Sequence, residues 1–274
     1  MLSEARSDDL LYVADGSTPN GYVHVYSYPK GKLVGQITGL SAPYGDCADR
    51  AGNVWIITNF PPEAIEYAHG GTTPISTLSV PAPSYAFACA VDPSSGNLAV
   101  TQDAGVSVYQ DAQGTPSTYT DWAEPMRCSY DDSGNLFANT SDQLTELSKG
   151  SSGFIIMNFS KNETALSNVQ WDGKYLAVEG RPGFGKKGAP APMYRASVSG
   201  STATIIHTLT LEVPRQKPDT TGSWIADHMI AQPVDRGKHV AIWAYPKGGN
   251  PLTLIPMTGR DIRATMAATV SLAH

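Results

Sequence analysis

Charge is scarce in this chain of 274 residues. Only 16% are Asp, Glu, Lys or Arg, and acidic residues outnumber basic ones by 25 to 19. The net charge of −6 provides no basic field, so no nucleic-acid partner is expected. Long apolar runs are missing as well: none approaches the roughly 18 residues of a helical membrane span, and no transmembrane segment is expected. The opening MLSEARSDDLLYV lacks a basic stretch followed by an apolar one, so it is not read as an export leader. The six histidines never fall at i, i+2 or i, i+4, so no metal-binding helix or strand is expected from them. No G-x-S-x-G elbow occurs, and GFGKKG lacks both the spacing and the following helix of a phosphate-binding loop. With no catalytic constellation in the sequence, a non-enzymatic function is favoured.

Cysteine is nearly absent. Cys47, Cys89 and Cys128 occupy the same place in three copies of a repeat. Equivalent positions project alike from separate units, so mutual pairing is not expected, and the three read as small buried hydrophobes.

What is abundant is turn-forming residues, with 26 Gly and 20 Pro, together with 13 Tyr. That composition fits many short strands, not a helical bundle. The repeat is visible in YGDCADRAGNVWIITN, FACAVDPSSGNLAVTQ, MRCSYDDSGNLFANTS and SNVQWDGKYLAVEG. The turn glycines Gly52, Gly96, Gly134 and Gly173 step by 44, 38 and 39 residues. Several strands per period of about 40 residues is the signature of a β-propeller. Six hairpins recur with period-2 alternation: YVHVYSYPKGKLVGQI, AIEYAHGGTTPISTL, GVSVYQDAQGTPSTY, QLTELSKGSSGFIIM, MYRASVSGSTATIIH and HVAIWAYPKGGNPLTLI.

The expected fold is therefore all-β, a single domain over residues 1–274 forming a six-bladed β-propeller of four-stranded blades. With strands lettered a to d from the centre outward, these hairpins are the c–d pairs. LLYVAD then reads as strand b of blade 1, with no strand a before it. ATMAATVSLAH has no blade left to start and supplies the missing inner strand, closing the ring against the N-terminal segment and leaving no long unpaired edge. Residues 1–8 are expected to be a flexible lead-in.

PYGDCADRAGNVWI and DPSSGNLAVT resemble NHL-type and SMP-30-like six-bladed propellers, and the YPKGK and YAHGGTTP hairpins are similar to those of bacterial propeller proteins that are secreted or attached to the envelope. The resemblance covers nearly the whole chain. It implies a propeller fold, a secreted, periplasmic or envelope location, and a ligand bound at the tunnel. SNVQWDGKYLAV is similar to an inner strand of the SMP-30-like lactonases, which hold a divalent metal in the tunnel. By that likeness Asn168 becomes a metal ligand, with Glu179 and Asp15 as companions, and a lactonase-like hydrolase or lyase is the alternative function.

The residues that end strand b in each blade are Asp15, Asn59, Gln102, Asn139, Glu179 and Gln232, all carboxylates or amides. A ring of these around the tunnel could coordinate Ca²⁺ or Mg²⁺ through oxygen or hydrogen-bond a sugar or peptide. Equally, such residues often satisfy turn backbone groups. The d–a connections add Tyr44, Asp46, Tyr85, Trp122, Glu124, Arg127 and Asn168. Two long loops, EGRPGFGKKGAPAPM and EVPRQKPDTTGS, bring Arg181, Lys186, Lys187, Arg215 and Lys217, and TGRDIRAT adds Arg260 and Arg263. Together they suggest attraction of an anionic group; a scatter of solvated charge is the bland reading. The expected partner is a small molecule, glycan or peptide at the face shared by the b–c and d–a connections. A protein-interaction scaffold remains a third function, and a monomer is expected.

Overall fold

A computed structural model describes residues 1–16, 20–81, 85–120, 124–159, 165–180, 191–213, 222–257 and 265–274. Six sheets form six blades in chain order. Blade 1 contains β1 (Leu10–Asp15), β2 (Gly21–Ser27) and β3 (Leu33–Leu40); blade 2 contains β4 (Gly45–Ala48), β5 (Val54–Asn59), β6 (Pro62–Tyr67) and β7 (Pro74–Ser79). Blade 3 contains β8 (Ala86–Val91), β9 (Leu98–Gln102), β10 (Gly105–Tyr109) and β11 (Ser117–Tyr119); blade 4 contains β12 (Arg127–Tyr130), β13 (Leu136–Asn139), β14 (Leu144–Leu147) and β15 (Ile155–Ile156). After the short β16 (Asn158–Phe159), blade 5 contains β17 (Leu166–Trp171), β18 (Leu176–Gly180), β19 (Ala191–Ser199) and β20 (Thr202–Leu211). Blade 6 contains β21 (Trp224–Ala226), β22 (Met229–Val234), β23 (His239–Ala244) and β24 (Thr253–Pro256), and β25 (Thr265–Ser271) follows it.

The ring closes as the repeat phase predicts. β25 is the inner strand of blade 1, antiparallel to β1, with Leu10 opposite Ser271 and Val13 opposite Ala268. All six predicted hairpins are the outer strand pairs of their blades. Blade 5 adds something the sequence did not signal: β16 leaves the edge of blade 4 and pairs in parallel with β20, making a fifth, outermost strand.

Burial explains the sequence pattern. A b strand is flanked within its sheet by a and c, and neighbouring blades cover both its faces. In β1, β5, β9, β13 and β18 every residue is buried, so these strands read as continuous apolar runs, not alternating ones. Outer strands such as β7 and β15 are largely exposed. The core is correspondingly divided into six apolar clusters, one at each blade–blade junction.

Two expectations are corrected. Residues 1–8 are docked, not free: Ser3–Arg6 form a 3₁₀ turn, Leu2 N–H donates to the Val34 carbonyl at 2.7 Å, and Ala5 is fully buried in the junction between blades 1 and 2. Cys47 and Cys89 do pair, as a disulfide between β4 and β8 with their Cα atoms 5.6 Å apart. Adjacent inner strands lie side by side around the narrow channel, so equivalent positions on neighbouring blades come within bridging range instead of diverging. Cys128 stays free and buried, as expected.

Two outcomes follow. Deleting residues 265–274 uncovers the channel-side edge of β1 and should abolish the cooperative thermal transition while promoting oligomers, seen by circular dichroism melting and size-exclusion chromatography. Replacing Cys47 and Cys89 by Ala opens a cross-link spanning 42 residues. The denaturant midpoint should fall by the equivalent of about 4 kcal/mol on chain-entropy grounds, and a reducing agent should reproduce that loss in the native protein.

Candidate functional site

Only the inner strands border the axis, so the channel's chemistry is set by β4, β8, β12, β17, β21 and β25. They enclose a cavity of about 390 Å³, within the size range of small-molecule sites. Small residues make the space. Ala88, Ala90, Ala267 and Ala268 all line it, and a Cβ added at Gly45 would run into the Phe87 carbonyl oxygen. Val91, Val169, Ile225 and Val270 make the walls apolar, and Trp171 and Trp224 also border the space.

Polar groups gather at the two ends. Following the inner strands from their d–a ends to their a–b turns, the d–a end, here termed the floor, carries Asp46, Arg127, Asn168 and Ser223, and the a–b end, here termed the mouth, carries Asp49, Arg50, Asp132 and His274. At the mouth, Arg50 Nη2 reaches from blade 2 to Asp132 Oδ1 in blade 4 at 2.9 Å, and Trp171 Nε1 donates to Asp132 Oδ2 at 3.0 Å. Both ends of the Arg50–Asp132 ion pair are exposed, so its energetic weight is small.

The floor is different. Arg127 donates from Nη1 to the carbonyls of Phe87 (2.9 Å) and Met126 (3.2 Å) and from Nη2 to that of Met266 (3.1 Å). One guanidinium thus ties blades 3 and 4 to the closing strand. Burial holds it below the usual arginine range, opposed by Tyr44, Asp46, Cys128 and Glu179. Asp46 is buried at 6% exposure; its Oδ1 accepts from Thr269 Oγ1 at 2.8 Å, while Oδ2 has no partner among the described residues. Burial pushes this carboxyl up to about 7, against the lowering influence of the Thr269 hydrogen bond and Arg127. The neighbouring Cys128 thiol is pushed by burial up to about 12, which keeps it protonated and unreactive.

The sequence-predicted residues divide sharply. Asp46, Arg127 and Asn168 line the channel. The six strand-b residues, expected as a ring around the tunnel, do not line it. Strand b lies one strand spacing, about 4.8 Å, farther out, and its side chains serve the junctions between blades or their own turns. Asn59 brackets the first residue of β8, accepting from Ala86 N–H at 2.8 Å and donating to its carbonyl at 3.1 Å. Glu179 accepts from Gln232 Nε2 at 2.6 Å and from Ser223 Oγ at 3.2 Å. Gln102 donates to Ser107 and Asn139 to the Thr140 carbonyl, while Asp15 is buried at the end of β1. Inner-strand amides do the same work: Asn168 Nδ2 donates to Ser223 Oγ and O, and Gln170 exchanges two hydrogen bonds with the Ile225 backbone.

The metal set Glu179, Asn168 and Asp15 does not fit a cation. Each Glu179 oxygen already faces a hydrogen-bond donor, and Asn168 presents its N–H to Ser223. Among the described residues no group of three or more His, Cys, Asp or Glu could hold a metal ion.

On the opposite face, Tyr85 meets Phe60 edge-to-face at 5.7 Å, both about half exposed, and Tyr44 meets Phe87 at 5.7 Å. Glu124 adopts a positive φ of 60° in the connection entering blade 4. Trp122, Arg181, Lys186, Lys187, Arg215, Lys217, Arg260 and Arg263 lie outside the described residues. Sequence reasoning missed the mouth residues Arg50 and Asp132. Their signal was present: both occupy the a–b turn of the repeat, in DRAGN and DDSGN.

No family model matches the chain, and no curated protein matches its sequence. Solved structures do resemble it. A chain from a nidogen–laminin complex superposes with a TM-score of 0.72 at 13% identity, covering 97% of this chain and 99% of that one. A protein of unknown function from Bacteroides caccae gives 0.64 at 10% identity, covering 97% and 99%, and a functionally unknown protein from Desulfotomaculum acetoxidans gives 0.61 at 10%, covering 98% and 90%. At such identities the likeness speaks to architecture. The chain is a six-bladed β-propeller.

Because the folded state holds the Asp46 proton more tightly than the unfolded chain does, stability is lost as pH rises from about 4 to about 7. Asp46→Asn removes that loss. Its melting temperature should match the native protein at pH 4 and exceed it at pH 8, by the equivalent of on the order of 4 kcal/mol.

Proposed function

We propose that this protein is an exported ligand-binding propeller that holds a small molecule in its central channel, entered from the a–b turn face. The observation that carries the reading is the cavity of about 390 Å³ with apolar walls and a polar, charged floor. Ligand sites commonly combine a mostly apolar concavity with a few convergent polar groups. Export is supported by the Cys47–Cys89 disulfide, a bond that persists in oxidising compartments. The NHL-like and SMP-30-like resemblance agrees with this reading at the level of fold.

A second reading places a glycan or peptide on the opposite face, favoured by the exposed Phe60–Tyr85 pair. Aromatic faces are common platforms for such ligands. One fluorescence experiment separates the two, since Trp171 and Trp224 both line the channel. Titration with 1-hexanol, a neutral apolar probe, should shift tryptophan emission, and a Trp171→Phe/Trp224→Phe variant should lose the shift. A probe that binds without altering this emission, and whose binding is abolished by Phe60→Ala, would move the site to the aromatic face.

A further inference from the structure

What the channel can recognise depends on which of its polar groups are already committed to the protein itself. Along its length most are. Gln170 exchanges two hydrogen bonds with the Ile225 backbone, at 2.9 and 2.7 Å. Ser129 Oγ accepts from Trp171 N–H at 2.9 Å and donates to the Tyr130 carbonyl at 3.4 Å. At the floor, Asn168 donates to Ser223, whose hydroxyl donates onward to Glu179. Arg127 directs Nη1 and Nη2 at three backbone carbonyls, and Gly222 packs so close that a Cβ there would stand 3.1 Å from Nε. Asp46 Oδ2 has no partner among the described residues, but it exposes less than 1 Å² and a molecule in the channel cannot reach it. At the mouth, both Asp49 oxygens accept from Asn53, and Asp132 accepts from Arg50 and Trp171.

The surface left to a ligand is therefore apolar: Ala88, Val91, Val169, Ile225, Trp171 and Trp224 border the space. A charge or an extra hydroxyl carried into the middle of the channel would leave water and meet few free partners, which is costly. Hydrocarbon surface gains from the same burial and needs no directional partner. Size narrows the class further. A cavity of about 150 Å³ with aliphatic and aromatic walls stays dry and takes up benzene. At about 390 Å³ the channel has room for more than one ring.

We propose that the channel binds an uncharged, largely hydrocarbon molecule with the bulk of two fused rings, held by apolar contact along the walls, with any single polar group left at one end. This rests on the channel being the ligand site, and it names the chemistry of that ligand. Selection is then by shape and by the absence of charge, while the amides and the guanidinium near the axis hold the blades in register.

The test compares four probes of equal chain length on the native protein at pH 7: 1-hexanol, 1,6-hexanediol, hexylamine and sodium hexanoate. Binding is read by tryptophan emission and by isothermal titration calorimetry. The diol differs from hexanol by one hydroxyl, the amine and the acid by one charge. Hexanoate also tests whether Arg215, Arg260 and Arg263, which precede β21 and β25 in the chain, supply a partner for an anion. Hexanol should shift the emission and bind at least tenfold more tightly than each of the other three. Its binding should grow more exothermic on warming, the negative heat-capacity change of buried apolar surface. Decahydro-2-naphthol, which has two fused rings and one hydroxyl, should bind at least tenfold more tightly than hexanol.

If the diol, the amine or the acid shifts the emission with an affinity within tenfold of hexanol, the uncharged hydrocarbon class is overturned and the channel stands as the site. A fused-ring alcohol that binds no better than hexanol overturns the assigned bulk. If no probe alters Trp171 or Trp224 emission, the channel reading itself falls, and this inference with it.

Discussion

The pairing of β25 with β1 is the constraint on which the rest of the molecule depends. A propeller blade cannot bury both of its faces alone; each apolar cluster here belongs to two blades at once. Without closure, the junction between blades 6 and 1 would lose its cover and the inner edge of β1 would be left unpaired. Closure also brings Met266 and Thr269 to the axis, where they accept from Arg127 and donate to Asp46 respectively. The same strand that completes the ring therefore completes the floor of the channel.

Polar ties reinforce the apolar junctions around the ring. Thr269–Asp46 joins blades 1 and 2, Asn59–Ala86 joins 2 and 3, Arg127–Phe87 joins 3 and 4, and Trp171 N–H to Ser129 joins 4 and 5. Gln170–Ile225 joins 5 and 6, and Gly222 exchanges backbone hydrogen bonds with Met266 and Ala268 to join 6 and 1. Apolar contact is non-directional, whereas a bidentate amide bracket sets how far one blade can slide against the next. This explains why so many amides and carboxylates stand near the axis without forming a ring of free ligands. Most are engaged in positioning strands. Asp46 differs because its Oδ2 has no partner among the described residues.

Much of the architecture was legible in the chain. The spacing of Gly52, Gly96, Gly134 and Gly173 carried the period, and the six hairpins carried the strand phase, because turns and alternation are local properties. The unpaired LLYVAD and the surplus ATMAATVSLAH together carried the closure. What escaped was everything that depends on distance from the axis. Cys47 and Cys89 occupy equivalent repeat positions, and only the narrowness of the channel brings them into bonding range. The pairing of Asn158–Phe159 with the neighbouring blade left no pattern in so short a segment.

The candidate site divides along the same line. Asp46, Arg127 and Asn168 were chosen from sequence as part of the d–a connections, and the structure places them at the beginnings of the inner strands that those connections enter. The repeat phase also grouped Asp15, Asn59, Gln102, Asn139, Glu179 and Gln232 as one equivalent set, but not the direction in which they face. The sequence by itself determined the all-β class, the number of blades, the strand order and the closing partner, since each follows from local turn chemistry and repetition. Only the tertiary structure decided which polar side chains reach the channel and which carboxyl oxygen is left without a donor among the described residues. Those depend on a few ångströms of radial distance and on burial among residues far apart in the chain, which no local pattern encodes.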